Sequence, residues 1–502
     1  MMPKSDTLKS RLQQLSPQWV AAVLGCVFSL WWIFKNPVLN ADAYQYLRAA
    51  ELFNSDGAHA VFARYGWFNY SILIALLNKV LPGGLLASAH VLNMLLQTLL
   101  LTTFIRLSQR LNGGRHTAWL AALVILAYPQ LNEMRFTLVR DFGFLGFILL
   151  SLELLLLVRD SGRWQHAALW TLAISLAAVF RLEALLLAAV APLALLGNGN
   201  NRKVVLLYGS MFSLALVATL VFALLQVDLL ALMQFAYRYY LPLLFDLPSL
   251  LTQQSQALQQ FLFTPDNFPG QHNTLHGLLI LLFAYGYTVL ANLVQALSVP
   301  VTVLLLHALW RGWLRPLDGW RGPLAVYGFC SLLILLAFVS IMHFLTERYA
   351  LLLCLLLLLL VPGVLNRWID HAQAQRSQRR YLLIGWFFVF YFFTDSLVSF
   401  GYSTAYLPQA LAFLQTSTTQ GSALVTNSRY LAWGSGRIKD YDQGSYDPGE
   451  ALARAQSGNT LAVRLKASEQ EARRLLEQDQ RLSLTQRFGN TRGDEVRIYQ
   501  VH

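Results

Sequence analysis

The sequence NADAYQYLRAAELFNSDG, residues 40–57, follows closely on the first long apolar run of the chain, residues 19–34. Its aromatic and apolar side chains recur at three-residue steps: Tyr44, Leu47, Ala50 and Phe53. This spacing predicts an amphipathic helix that lies along a membrane surface, with Asp42 at its start. Two further carboxylates, Glu51 and Asp56, make the segment acidic where the chain first leaves the membrane.

The chain as a whole is too apolar for a soluble protein. Of its 502 residues, 56% are hydrophobic and 13% are charged, whereas soluble domains carry about a quarter charged residues. The net charge of +12 lies mostly in short loops between apolar runs, where basic residues orient a protein in the membrane. The composition therefore predicts a polytopic membrane protein and argues against nucleic acid as a partner.

The apolar runs also bear on processing and redox chemistry. No small-residue cleavage site follows residues 19–34, so this run is expected to be a first span that also acts as the insertion signal. The three cysteines, Cys26, Cys330 and Cys354, lie inside apolar runs. Neither a disulfide framework nor a cysteine metal site follows from them, and the redox compartment stays open.

Basic residues at the ends of the apolar runs predict the orientation. Lys4, Lys9 and Arg11 place the N-terminus in the cytoplasm, and the later loops agree with about eleven transmembrane helices and a C-terminus on the outer side. Residues 67–81 are too short to cross a hydrocarbon core roughly 30 Å thick and are expected to form a second juxtamembrane helix.

Two long apolar stretches are expected to be interrupted. Residues 167–197 carry Arg181 and Glu183 in their middle. Two short helices meeting at this pair avoid burying both charges in mid-membrane, which would cost several kcal/mol. Residues 276–310 are expected to form one over-long helix, tilted or broken, with Pro300 inside it.

The chain is predicted to contain two domains. Residues 1–401 form an all-α transmembrane domain, with a first outer loop at 36–84 and a long aromatic outer loop at 226–275. Residues 402–502 have an ordinary soluble composition and are expected to form a small α/β domain next to the first outer loop. Its predicted elements are strands at 423–426, 461–466, 482–488 and 495–501 and a helix at 468–478.

Six stretches of the sequence resemble one family of membrane enzymes: NADAYQYLRAAELF, ARYGWFNYSILIALL, NEMRFTLVRD, FRLEALL, TERYALLLCLLLLLLVPG and the tail fragment ALVTNSRYLAWGSGR. With them, most of the chain resembles the C-type glycosyltransferase superfamily (GT-C). The similar branch is bacterial, uses polyprenyl-phosphate sugars, and is related to protein O-mannosyltransferases and lipid A aminoarabinose transferases.

This resemblance implies an inverting glycosyltransferase at the bacterial inner membrane, with the N-terminus cytoplasmic and the C-terminus periplasmic. The enzyme would move a sugar from a polyprenyl-phosphate-linked donor to a periplasmic-side acceptor, which is an envelope glycan, a lipid or a protein. Asp42 matches the family's catalytic acid and would act as general base, with a helix N-cap as the alternative. Arg348 matches a position near the lipid phosphate, or is an interfacial anchor paired with Glu347.

Sugar transfer from a lipid-linked phosphate needs a carboxylate to take the acceptor's proton and cations to hold the leaving phosphate. The outer loops supply three further phosphate-binding candidates: Arg135, Arg140 and Arg181. The remaining pocket candidates are polar or aromatic residues: Tyr44, Glu51, Arg64, Glu133, Asp141, Glu183, Glu347 and Tyr349. Ordinary ion pairs explain Glu133, Arg135, Arg140 and Asp141 almost as well.

No cofactor is indicated with certainty. Four histidines lie on or near the outer face, so a divalent metal stays open, although their spacing matches no ligand motif: His59, His272, His276 and His343. Three other functions also stay open. They are a polymerase or ligase of lipid-linked glycans, a transporter or flippase, and a non-catalytic assembly or sensor protein that acts through its tail.

Overall fold

The computed structural model describes residues 15–65, 68–196, 201–224, 246–262, 275–314, 320–374, 403–416, 422–444 and 447–502, with six single positions between 383 and 394. The tyrosines of the long outer loop, Tyr237, Tyr239 and Tyr240, lie outside these residues, as does His272. Contacts divide the chain into two compact units. The first comprises Met1–Gly25, Leu96–Asn132 and Arg140–Thr394, and the second comprises Cys26–Leu95, Glu133–Val139 and Asp395–His502.

The first half of the described chain is helical. Its helices are α1 (Pro17–Lys35), α2 (Ala41–Tyr65), α3 (Asn69–Asn78), α4 (Gly84–Asn112), α5 (Arg115–Leu126), α6 (Pro129–Glu133), α7 (Asp141–Ser161), α8 (Trp164–Phe180), α9 (Ala184–Val190) and α10 (Asn201–Leu224). A short 3₁₀ turn, Ala191–Leu195, follows α9 directly.

The second half adds further helices and one small sheet. The helices are α11 (Leu247–Leu262), α12 (Leu275–Leu297), α13 (Val299–Trp310), α14 (Arg321–Met342), α15 (Glu347–Leu358), α16 (Val361–Ala374), α17 (Tyr406–Thr416), α18 (Arg429–Ser435), α19 (Pro448–Ala453) and α20 (Gln470–Gln478). The strands are β1 (Leu424–Thr426), β2 (Thr460–Leu465), β3 (Leu482–Gly489) and β4 (Glu495–Val501).

Among the described residues, six helices are long and apolar enough to cross a membrane: α1, α4, α7, α10, α12 and α14. Helices α15 and α16, bent by 44° at a short break, together would make a seventh. The expected number was about eleven. The difference arises because several expected crossings are apolar helices of 10–17 residues, and because most of the last one, residues 381–400, lies outside the described part. The predicted all-α membrane fold with a small α/β tail is confirmed.

Both expected interruptions of the long apolar stretches are present. Helix α8 ends at Phe180 and α9 begins at Ala184, so the chain breaks at Arg181 and Glu183. Helices α12 and α13 break at Ser298, whose φ is 70°. In the first unit, a Cβ placed on Gly143 would lie 2.6 Å from the Phe180 ring. Helices α7 and α8 therefore approach as closely as a glycine allows.

The tail sheet has the strand order β1-β2-β4-β3. Strand β1 runs parallel to β2, and β4 pairs antiparallel with both β2 and β3. Its core contains alternate residues of β2, Leu461, Val463 and Leu465, because side chains two apart in a strand point to the same face. The four predicted strands and the predicted helix are confirmed, with small shifts at their ends.

Helix α2 lies where the amphipathic helix is predicted, but it is longer, with 25 residues from Ala41 to Tyr65. Tyr44, Leu47 and Ala50 are buried as expected, and Phe53 is half-buried. The helix bends at Gly57, where φ is 81° and ψ is −176°. A residue with a Cβ rarely adopts this conformation, so the glycine permits the bend.

Candidate functional site

A charged cluster in the first unit forms where α7 begins and α8 ends. Arg181 Nη1 donates to Asp141 Oδ1 at 2.6 Å. On its other side, Arg181 Nη2 and Nε donate to Glu183 Oε1 at 2.6 and 3.2 Å. Arg181 is 8% exposed and Asp141 is 3% exposed. Since a buried ion is tolerated when it is paired and hydrogen-bonded, the two carboxylates account for the buried guanidinium.

Arg348 joins this cluster from the first turn of α15. Its Nε lies 3.6 Å from Asp141 Oδ2, an ionic contact longer than a normal hydrogen bond. The Tyr349 ring lies near both cations, 5.1 Å from the Arg181 guanidinium and 5.3 Å from that of Arg348. The Arg348 side chain is 31% exposed. Arg181 is therefore the buried cation of the cluster, and Arg348 is its more exposed cation.

Two neighbouring predicted residues also belong to this region. Arg140, the residue before α7, interacts electrostatically with Glu183. Glu347 accepts a hydrogen bond from the Gln130 amide, while Arg348 contacts Asp141. A cavity of about 20 Å³ borders Arg181 and Glu183, which is room for about one water molecule.

In the second unit, Asp42 lies half-buried in the first turn of α2. The helix begins at Ala41, so Asn40 stands at the position before the helix, where the N-cap alternative had placed Asp42. Asn40 Nδ2 donates to the carbonyl oxygen of Leu138 at 3.1 Å, and the backbone N–H of Leu138 donates to Asn40 Oδ1 at 2.9 Å. A carboxylate in a first helical turn is also favoured by the helix dipole.

The tail domain packs against this first turn, as the sequence predicts. Arg429 Nη1 donates to the carbonyl oxygen of Ala41 at 3.1 Å. The Trp433 ring lies 6.1 Å from the ring of Tyr44. Both tail residues belong to the fragment ALVTNSRYLAWGSGR, but its sequence alone did not indicate which side chains reach α2.

A network of charges links the rest of α2 to the tail, and we call it the clasp: Arg48, Glu51, Arg64, Tyr65, Asp440, Tyr441 and Asp442. Asp440 Oδ1 accepts from Arg48 Nη2 at 3.3 Å and from both terminal nitrogens of Arg64 at 3.2 Å. Burial alone would raise the pKa of Asp440, but the hydrogen bonds and charges of Arg64 and Arg48 outweigh it and lower that pKa.

The clasp also contains two partly buried tyrosine–carboxylate hydrogen bonds. Tyr65 donates to Asp442 Oδ2 at 2.6 Å, and Asp442 is 2% exposed. Tyr441 donates to Glu51 Oε1 at 2.9 Å. Burial, and then the neighbouring carboxylates, raise the pKa of both tyrosines above the ordinary value. The predicted candidates Glu51 and Arg64 are thus engaged with the tail.

The remaining predicted residues lie elsewhere in the second unit. Arg135 is 2% exposed, contacts Ser29 Oγ at 3.4 Å and lies 5.8 Å from the Phe28 ring. It packs against α1, which gives its burial a structural explanation. Glu133 is exposed at the end of α6. The phosphate-binding role of Arg135 and the pocket role of Glu133 remain predictions.

Within the described residues, no three His, Cys, Asp or Glu side chains come together as metal ligands. His343 lies beside Tyr285 and Gln254, with nitrogen contacts of 3.4 and 3.5 Å, and His59 is exposed. The side chain of His276 lies outside the described part.

No protein-family model matches this sequence, and no curated protein matches it. Among the solved structures that match, two show the following similarity. One is the oligosaccharyltransferase of Archaeoglobus fulgidus in the apo form, 11% identical, with a TM-score of 0.49 over 90% of this chain and 69% of that one. The other is the oligosaccharyltransferase AglB of the same organism, in complex with an inhibitory peptide and a dolichol-phosphate. It is 14% identical, with a TM-score of 0.47 over 80% of this chain and 58% of that one. These similarities concern the course of the backbone and assign no role to a residue.

Proposed function

We propose that this chain is a membrane glycosyltransferase that moves a sugar from a polyprenyl-phosphate donor to an acceptor at the outer face of the inner membrane. The observation that carries the proposal is the cluster of Arg181 and Arg348 around Asp141. Guanidinium groups bind phosphate through paired N–H donors. An arginine inside an apolar stretch also needs a partner or a function.

The two arginines are suited to different parts of phosphate binding. Arg181 is fixed by Asp141 and Glu183, so its position changes little when a ligand arrives. Arg348 contacts Asp141 at 3.6 Å and its side chain is 31% exposed, so it can be reached by an incoming phosphate. The aromatic rings of Phe144 and Tyr349 flank Arg181 and exclude water, which strengthens the attraction between cation and phosphate.

The proposed reaction is a single displacement. The acceptor hydroxyl oxygen attacks the anomeric carbon and forms the new glycosidic bond, while the bond from that carbon to the phosphate oxygen breaks. The electron pair stays on the polyprenyl phosphate, whose growing negative charge is stabilised by Arg348 and Arg181. A general base takes the proton from the acceptor hydroxyl, and the family resemblance assigns this role to Asp42. One displacement inverts the anomeric configuration.

The decisive experiment uses the full-length protein in liposomes with a panel of polyprenyl-phosphate sugars. Release of polyprenyl phosphate and transfer of the sugar to envelope extracts are both measured. We expect one donor in the panel to be consumed with inversion. Consumption of a diphosphate-linked oligosaccharide instead would assign the chain to polymerase or ligase chemistry. Movement of lipid between leaflets without sugar transfer would identify a flippase.

A further inference from the structure

A large cleft opens in the first unit, near the C-terminal end of α7. The cleft has a volume of about 990 Å³, at the upper end of small-molecule pockets. Residues Leu111 and Asn112 of α4 line it, and nearby Arg110 donates to Asp160 Oδ2 at 2.5 Å. Asp160 lies near the end of α7, about 30 Å along the helix from Asp141. The cleft is therefore about one hydrocarbon thickness away from the arginine cluster.

The cleft has a polar mouth and an apolar wall. Its mouth is formed by polar side chains of α4, α5 and α16: Asn112, His116, Asn366, Arg367 and Asp370. Its wall includes Leu120, Leu123 and Leu126 of α5. From His116 to Leu126 the helix rises about 15 Å, which is half of the hydrocarbon core. The wall thus has the length of one lipid leaflet.

A second apolar path leaves the same wall. A slot of about 100 Å³ has Leu123 in common with the cleft and is lined by Pro300, Val301 and Leu365. Trp368 also lines the slot, while its neighbour Arg367 lines the cleft, so two apolar cavities lie beside one polar mouth, which suits a lipid with two acyl chains. A polyprenyl chain, being single, would occupy only one of them.

Aromatic rings place the mouth at headgroup depth. Trp313 and Trp368 lie 6.4 Å apart, and the His307 ring lies 5.6 and 5.8 Å from them. Tryptophan is enriched where the hydrocarbon meets the headgroups. Arg367 donates to the carbonyl oxygen of Trp313, so the cation at the mouth is tied to this aromatic group.

The charges at the mouth select the headgroup. Arg367 and Asp370 are both exposed and stand three residues apart on α16, so their side chains share a helix face. Arg367 suits a phosphate, and Asp370 suits an ammonium group. A headgroup with a phosphate but no amine would meet Asp370 as a like charge. The geometry points to a binding site for a zwitterionic two-chain phospholipid of the phosphatidylethanolamine type.

This site is independent of the proposed sugar transfer, so lipid retention is the direct readout. Full-length protein is exchanged into detergent with equal amounts of phosphatidylethanolamine and phosphatidylglycerol carrying the same acyl chains, and native mass spectrometry counts the bound lipid. We expect retention of phosphatidylethanolamine to exceed that of phosphatidylglycerol about tenfold, equivalent to roughly 1.4 kcal/mol.

Three variants and a control test the assignment. Arg367→Ala should lose both lipids, and Asp370→Lys should reverse the preference toward phosphatidylglycerol. Leu123→Trp narrows both apolar paths and should lower retention without changing any charge. Arg163→Ala, an exposed arginine that does not line the cleft, should behave as wild type. Equal retention of the two lipids by wild type would overturn the site. So would unchanged retention in Arg367→Ala, or displacement of the bound lipid by an equal amount of polyprenyl phosphate.

Discussion

Each unit of the molecule holds an arginine–carboxylate cluster, and the two clusters are built in opposite ways. In the first unit, one guanidinium, Arg181, lies between two carboxylates, and it is 8% exposed. In the second, one carboxylate, Asp440, lies between two guanidinium groups, and its side chain is 52% exposed. A buried ion left without its partner is costly, whereas an exposed pair contributes little. The first cluster therefore holds a fixed charge, and the second joins two segments of chain.

Removing the buried cation should have the largest effect on stability. Arg181→Leu leaves Asp141 and Glu183 without their main partner, and we expect a loss of about 3–5 kcal/mol. Thermal unfolding of the full-length protein in detergent measures it. Arg181→Lys keeps the positive charge but not the planar guanidinium that bonds both carboxylates, so it should lower the stability less than Arg181→Leu does. A wild-type Tm for Arg181→Leu would mean that the buried cluster is no stronger than the exposed one.

Asp42 should separate chemistry from stability. Asp42→Asn removes the proposed base while keeping the side chain's size, and we expect about a 10³-fold loss of sugar transfer with little change in Tm. Asp56→Asn is the matched control, because Asp56 is an exposed carboxylate of the same helix outside the clasp. Transfer rates within threefold of wild type for Asp42→Asn would remove Asp42 from the mechanism.

Arg348 tests the more exposed side of the buried cluster. Arg348→Ala removes the proposed phosphate ligand, and because the side chain is 31% exposed we expect about a 10²-fold loss of transfer with a Tm close to wild type. Arg163→Ala provides the control for the loss of one positive charge. A fall in Tm as large as that of Arg181→Leu would show that both arginines serve structure alone.

Within the clasp, the buried acid should matter more than the exposed one. Asp442→Asn weakens the 2.6 Å bond from Tyr65 in a buried setting, at an expected cost of about 1–3 kcal/mol. Asp440→Asn affects exposed pairs and should cost about 0–1 kcal/mol. Limited proteolysis of the tail compares the two variants, and equal sensitivity would contradict the ranking by burial.

The pH dependence of the clasp has a definite sign. Because the folded protein lowers the pKa of Asp440, the carboxylate contributes stability above its unfolded pKa, near 3.9. That contribution is lost as the pH falls through the lower, folded value. The smallest expected effect is thus a weaker attachment of the tail to α2 below about pH 4 in the wild-type protein. The Asp440→Asn variant should not show this change. Identical acid profiles for the two proteins would exclude Asp440 as the titrating group.

Local features of the sequence predicted local structure well. The break between α8 and α9 follows from one charged pair in an apolar stretch, and the buried face of α2 follows from three-residue spacing. The strands of the tail follow from their alternating side chains. Each of these signals lies within a few residues of the structure it specifies.

Long-range pairing could not be predicted in the same way. Asp141 contacts Arg181, 40 residues away, although charged residues stand next to it in NEMRFTLVRD. Asp440 contacts Arg48 and Arg64 across 392 and 376 positions, and no periodicity links such partners. The number of spans differs slightly from the prediction for a related reason. Hydropathy measures how apolar a segment is, whereas a count by helix length leaves out short apolar helices such as α5.

The bend in α2 has a consequence for the order in which the protein forms during synthesis. Arg48 precedes Gly57 and Arg64 follows it, and both donate to the same oxygen of Asp440. The two limbs of an early helix are thus joined by a residue translated near the end of the chain. Until the ribosome has delivered Asp440, nascent α2 lacks this bond between its limbs. A ribosome stalled before that point would leave the helix that carries Asp42 without its closing contact.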